Sequence, residues 1–285
     1  MTAARNIEVR LARANDEIDA AQRLRYTVFY DEWGAHPDLR VRHAQRDSDE
    51  FDADMDHLIV IDHGRSLAEG QVVGNYRLQR GDTLGAKGRF YSSGEFDLGP
   101  LLDSRQRLLE LGRSCVLREY RSMPILQLLW RAIVAYVAEH RIEVMFGCAS
   151  LHGTDPEAVR EQLAYLHHYH LAPPAVRPRA LGPTRIPIDT MCRASVDVAR
   201  SREALEPLIK GYLRQGACVG EGAYIDHQFN SIDICIVMPT VKLAARYLRQ
   251  YEQAVKHAPV AATTAAARPD EMPVAARLPP RIARA

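Results

Sequence analysis

Residues 107–149 constrain the fold more tightly than any other stretch of the chain. Residues 107–116 form a mostly apolar run that Glu110 and Arg113 interrupt. From Pro124 onward Ile125, Leu128, Leu129, Ala132, Ile133, Tyr136 and Val137 recur at intervals of three and four. That spacing predicts a helix with one buried face and a proline in its opening turn. Residues 144–149 are again apolar, over the length of a buried strand. A strand, a helix and a strand in this order call for an α/β or α+β domain in which the helix lies on a sheet.

The flanking segments extend the alternation. Residues 7–11 read as a first strand, and Asn15 or Asp16 is placed to cap a helix through Ala20, Leu24, Val28 and Phe29 that ends near Trp33 and Gly34. Strands are predicted over 57–61 and 72–78, with His63, Gly64, Arg65 and Ser66 as the turn between them. Asp155 and Pro156 open a further helix that ends near Tyr169 and His170. Residues 172–190 carry five prolines and read as a long ordered flap. Beyond it the pattern predicts a strand over 194–198, a helix over 205–213, a strand over 232–238 and a last helix over 241–251. We expect residues 1–255 to form a single domain and the Ala/Pro/Arg-rich residues 256–285 to be a disordered tail.

Charge narrows the function. Lys and Arg total 37 against 36 Asp and Glu, a formal charge of +1, which argues against a nucleic-acid partner. The five cysteines are scattered, without a Cys-x-x-Cys pair, so neither a disulfide framework nor a metal site is expected and a reducing, cytoplasmic setting fits. Arg5, Glu8 and Arg10 fall where an export signal needs unbroken apolar sequence. The longest candidate span, 132–138, is far short of the roughly 20 apolar residues a bilayer crossing needs, so any membrane contact is expected to be peripheral.

Glu110 and Arg113 stand three apart. In a regular strand they point to opposite faces; a bulge between them brings both toward one cleft, whereas a helix makes them an ordinary surface ion pair. Asp47, Asp49, Glu50, Asp52, Asp54 and Asp56 place six carboxylates within ten residues, a density that costs repulsion unless solvent or cations offset it. It reads either as a solvated loop or as a receptor for a small cation; a calcium loop lacks its central glycine and terminal glutamate. His57 and Asp62 match a His-x4-Asp acyltransferase spacing, but they flank a strand and stand without companion motifs. His167, His168 and His170 suit the end of a helix better than a metal. Apolar neighbours give Cys115 a packing role. No serine elbow, phosphate loop or dinucleotide fingerprint occurs.

Arg25, Phe29, Trp33, Asp49, Asp52, the Val73-Gly74-x-x-Arg77-Leu78 string and Leu109-Glu110-Leu111-Gly112-Arg113-Ser114 together resemble the acyl-homoserine-lactone synthase pattern within the GNAT acyltransferase superfamily. Gly74-Asn75-Tyr76-Arg77-Leu78, Phe90-Tyr91-x-x-Gly94-Glu95-Phe96 and Gly147-Cys148-Ala149-Ser150 are similar, more closely, to bacterial ornithine-lipid N-acyltransferases over about residues 7–250. The resemblance implies a GNAT acyl-CoA N-acyltransferase-like mixed sheet with flanking helices and a C-terminal extension. It also implies transfer of a 3-hydroxy fatty acyl group from acyl carrier protein to the α-amine of L-ornithine, the first step of ornithine lipid synthesis. Glu110 and Arg113 are then the expected catalytic residues, and Arg25, Phe29, Trp33, Asp49, Asp52 and Arg77 the expected lining of the amine site. The phosphate loop of acetyltransferases is replaced by residues 118–124, which hold no glycine. A carrier-linked phosphopantetheine presents one phosphodiester and no pyrophosphate, so Arg118 or Arg121 is expected to meet it. Gly112 and Ser114 are the expected oxyanion donors, no other cofactor is implied, and Arg131, Arg177, Arg179 and Arg185 extend a docking face for the acidic carrier. Release of a long-chain product implies contact with the inner membrane. An acyl-homoserine-lactone synthase and a non-catalytic carrier-binding module remain open at this point.

Overall fold

A computed structural model of the protein describes residues 6–67, 70–85, 88–121 and 125–241. Strand β1 (Ile7–Leu11) leads to α1 (Asn15–Tyr26), a π-helical turn over Thr27–Glu32 and α2 (Leu39–Ala44). The β2 (Asp56–Asp62) and β3 (Val72–Arg80) hairpin follows, then β4 (Phe96–Asp97) and α3 (Gly99–Asp103). The centre is β5 (Leu108–Val116), α4 (Ile125–Glu139) and β6 (Val144–His152). Next come α5 (Arg160–His170), β7 (Arg179–Ala180), β8 (Arg185–Ile186), α6 (Val198–Ala204) and α7 (Pro207–Arg214). Three strands, β9 (Cys218–Val219), β10 (Ala223–Asp226) and β11 (Ser231–Pro239), complete the described chain.

The main sheet runs β1-β2-β3-β5-β6-β11-β10-β8, with β9 also on β11, and a small second sheet joins β4 to β7. Among the described ladders only β5–β6 is parallel, because α4 is the crossover between them. Their register holds for Leu108–Glu110 against Val144–Phe146 and then stops, although the strands run on to Val116 and His152. The two central strands therefore part. Gly147 sits where they separate: a Cβ there would overlap the Leu111 carbonyl oxygen, so only glycine lets the strands pass this closely.

Successive residues of β5 point to opposite faces. Leu109 and Leu111 join Leu129 and Ile133 of α4, Leu163 of α5 and Ile209 and Tyr212 of α7 in one core cluster. On the other face Cys115 packs under Leu24, Val28 and Phe29, and Phe90, Phe96, Phe146 and Cys235 form a neighbouring cluster. The expected α/β mixed sheet with flanking helices is present.

Several local expectations need correction. Residues 194–198 form no strand: a 3-10 turn spans Arg193–Ser195, and α6 starts at Val198 because the Asp197 carboxylate accepts from the Arg200 N–H. The helix expected over 205–213 starts at Pro207, whose ring forces Glu206 into an extended conformation (ψ 143°). Neither Asn15 nor Asp16 caps α1; Ala14 occupies that position without a side-chain bond. The flap at 172–190 is held by pairing of β7 with β4 and of β8 with β10. The helix expected over 241–251 (past Val241), the boundary at 255 and the tail at 256–285 lie outside the described residues. No helix among the described residues is long and apolar enough to cross a membrane.

Candidate active site

The structure places Glu110 and Arg113 in a strand with a bulge between them. Arg77 of β3 lies opposite Gly112 and Asn75 opposite Cys115, so Arg113 and Ser114 together face the single residue Tyr76. Arg113 takes a left-handed conformation (φ 48°), and the Asn75 side-chain amide donates to its carbonyl at 3.0 Å. The bulge turns Arg113 to the face that Glu110 occupies, and both meet Tyr91. The Tyr91 N–H donates to Glu110 Oε2 at 2.9 Å and the Ser92 N–H to Oε1 at 2.7 Å, while the Arg113 guanidinium lies 4.7 Å from the Tyr91 ring centre and 4.3 Å from that of Phe229. Glu110 is buried, and desolvation raises its pKa against the pull of these donors.

The acidic segment folds against arginines. Arg25, with no exposed surface, reaches Asp47 Oδ2 through Nε at 2.8 Å and both Asp52 oxygens at 2.8 and 2.9 Å. Arg77 Nη1 bonds Asp49 at 2.6 Å and Asp52 at 3.0 Å. Arg113 bonds Asp47 at 3.1 Å and Asp49 at 3.3 Å. Three arginines thus neutralise three aspartates in a largely buried network. Asp47, which sequence spacing marked only as one carboxylate among six, is its hub with Asp52. Burial opposes ionisation of both carboxyls, but the arginine charges outweigh it and hold them below the usual range.

Phe29 and Trp33 sit on and just after the π-helical turn, a widened form often found at functional sites. Phe29 is buried edge-on to Phe229, whereas Trp33 is 44% exposed and stands at the rim. Gly112 precedes the bulge and Ser114 is part of it, both with partial exposure. Beyond the strand Arg118 is exposed and makes no ion pair among the described residues. Arg121 is committed, donating to the Val116 carbonyl at 2.9 Å and pairing with Glu32 at 2.7 Å. Arg177 and Arg179 share Glu221.

A pocket opens where β5 and β6 part, lined by Leu111, Met145, Phe146, Gly147, Cys148 and Tyr212. It is a small cavity, and most of its lining is apolar. Burial pushes the Cys115 thiol up to about 12 and raises Cys148 too, so neither offers a thiolate near neutral pH. Cys115→Ala should therefore leave the acylation rate within about threefold of the parent, whereas a covalent acyl relay through that thiol would lose turnover altogether; rates with purified acyl donor distinguish the two.

One constellation escaped the sequence reading. Glu95, ahead of β4, Asp226, at the end of β10, and Asp233, on β11, bring carboxylate oxygens within 4.8 Å of one another. Among the described residues none of the three forms an ion pair. The Cys148 thiol donates to Glu95 Oε2 at 3.1 Å and to Ser92 Oγ at 3.3 Å. Burial, reinforced by Asp233, raises Glu95; burial, reinforced by Asp226, raises Asp233 to about 6. The sequence did hold one signal, a carboxylate in the apolar run 232–238. The two histidine motifs stay structural: His57 Nε2 donates to the Asp52 carbonyl at 3.0 Å, and His168 and His170 bond the Met191 carbonyl and the Tyr165 hydroxyl.

Residues 24–131 match the acetyltransferase (GNAT) domain family. An L-ornithine N(alpha)-acyltransferase of Rhodobacter capsulatus is 44% identical over 250 residues, covering 87% of this chain and 96% of the relative. One of the same name from Agrobacterium fabrum is 42% identical over 248 residues, covering 86% and 85%. Among solved structures, a CoA-dependent acyl-homoserine lactone synthase, BjaI, aligns with a TM-score of 0.46 and 13% identity over 87% of this chain and 89% of that one.

Proposed function

The chain belongs to the L-ornithine N(alpha)-acyltransferase family, and from that premise we propose that it moves a 3-hydroxy fatty acyl group from acyl carrier protein to the α-amine of L-ornithine. The observation that carries this reading is the parting of β5 and β6 beside a buried carboxylate. A pantetheine arm laid along that split would present its thioester to an amine arriving from the Arg113 face. The amine must lose a proton to attack, and Glu110, directly or through one water, is the acceptor. Each of its oxygens takes one backbone N–H and the Ser92 side chain adds a further hydrogen bond, which orients the carboxylate and still leaves a lone pair free. The oxyanion is met by N–H groups near Gly112 and Ser114, the amine adds, and the thiol leaves with a proton, with no protein adduct.

Among the expected amine-site residues, Trp33 and Asp49 stand nearer solvent, with Arg113, Phe29 and Arg77 behind them. Arg25 and Asp52, sealed from solvent, hold them from the rear. Arg118, which makes no ion pair among the described residues, is the readier phosphodiester partner, because Arg121 would first have to leave Glu32. No cofactor beyond the phosphopantetheine-linked donor is needed. The enzyme works in the cytoplasm with peripheral contact to the inner membrane, where its product partitions. Expression of the chain alone in a host lacking ornithine lipids should yield N-(3-hydroxyacyl)ornithine in the lipid mass spectrum. A diffusible lactone without that lipid would overturn the reading, and so would carrier binding without any acylated product.

A further inference from the structure

We propose that Glu95, Asp226 and Asp233 form the receptor for the distal ammonium group of a diamino-acid substrate, and that this trio, not the aspartates of the 47–52 loop, selects ornithine. The inference rests on the acyltransferase reading above and refines it. The loop aspartates are already matched by Arg25, Arg77 and Arg113, so a second cation there would meet a neutral network. Among the described residues no cation pairs with the trio: Arg113 acts on Glu95 and Asp233 only at longer range, and Asp226 takes the Gln228 and Phe229 N–H groups. Asp233, 5% exposed, keeps Oδ1 buried without a hydrogen-bond partner, an arrangement that costs free energy until a donor arrives.

The geometry suits an ammonium ion. Acceptors about 2.8 Å from a tetrahedral nitrogen lie about 4.6 Å from one another, and the three carboxylates offer oxygens within 4.8 Å. The trio also lies beside the reaction site. Cys148, hydrogen-bonded to Glu95, lines the pocket where the central strands separate, and Asp233 lies opposite Ser150 on the same strand β6. A substrate whose α-amine stands at that opening can send its three methylenes toward the trio, leaving its carboxylate near Arg113 between the two clusters.

Thiol release from 3-hydroxyacyl carrier protein, measured with ornithine and with norvaline, tests this. Norvaline has the same carbon chain without the δ-amine. The parent enzyme should prefer ornithine in kcat/KM by about a hundredfold or more, and Asp233→Asn or Glu95→Gln should shrink that ratio by about tenfold or more. Asp233→Asn should melt no lower than the parent at neutral pH, since the amide removes a buried charge that, among the described residues, has hydrogen bonds from Ser150 and Ser231 but no ion pair; Glu95→Gln serves if it does not fold. An unchanged ornithine-to-norvaline ratio in both variants overturns the proposal. So does turnover that EDTA abolishes and Mg²⁺ or Ca²⁺ restores, which would make the trio a metal site. A parent enzyme that acylates neither amine overturns the acyltransferase reading itself, and the receptor with it, whereas acylation of both alike sinks the receptor alone.

Discussion

Asp52→Ala is expected to destabilise the fold by about 3–5 kcal/mol, enough to leave much of the protein insoluble when expressed. The magnitude follows from what the carboxylate leaves behind. Arg25 and Arg77 are both almost fully buried; Arg25 gives two of its hydrogen bonds to Asp52, and Arg77 gives one. Removing Asp52 strands two guanidinium groups and leaves three arginines facing two aspartates, a net positive charge with little solvent to disperse it. Exposed ion pairs elsewhere, such as Arg89 with Glu50, should cost no more than about 1 kcal/mol on truncation. Because the folded state holds the Asp52 carboxyl below its ordinary value of 3.8, its contribution is present above that pH and is lost as the medium becomes more acid. The gap between parent and variant in denaturant titrations should therefore be steady near neutrality and narrow below about pH 4. A loss under about 1 kcal/mol would place the network with surface pairs and remove its structural role.

The same network marks where sequence reading succeeds and where it stops. Six carboxylates in ten residues announced a repulsion that something had to offset. Arg25, Arg77 and Arg113 stand far from them along the chain, and the fold alone decides that they arrive. The strand–helix–strand centre was legible because burial repeats at the period of each element, and Glu110 and Arg113 were legible because charges seldom sit in an apolar run without a partner. The bulge that sets them on one face follows from the pairing of Tyr76 with two residues, a fact about β3 that no spacing within β5 contains. The Glu95, Asp226 and Asp233 trio was hidden for a different reason. Its members come from three separate segments spread over nearly half the chain, and only Asp233 lies in an apolar stretch where its charge stands out. At 194–198 the apolar pattern predicts a strand, but a 3-10 turn and the Asp197 cap of α6, both local hydrogen-bonded arrangements, use up the segment.

Glu110→Gln should lower kcat by about a hundredfold to ten-thousandfold, the usual range for losing a positioned proton acceptor. The substitution is not silent structurally. Two backbone N–H groups aim at the two carboxylate oxygens, and an amide can answer only one of them with oxygen; its NH₂ faces the other donor. A share of any loss could then come from a displaced Tyr91–Ser92 turn, which also supports the Arg113 guanidinium through the Tyr91 ring. The pH profile separates the two effects. If Glu110 takes the proton, the parent's kcat at saturating ornithine, where the receptor carboxylates are occupied, falls as acid titrates a carboxylate whose pKa burial has raised, and the remaining activity of the glutamine variant lacks that acid limb. If Glu110 only holds the turn, both enzymes keep the same limb and the variant shows a lower melting temperature with a raised KM for the amine. A glutamine variant that folds, binds carrier protein and acylates within about tenfold of the parent would take the proton-acceptor role away from Glu110 and leave the raised carboxyls of Glu95 and Asp233 as the nearest alternatives.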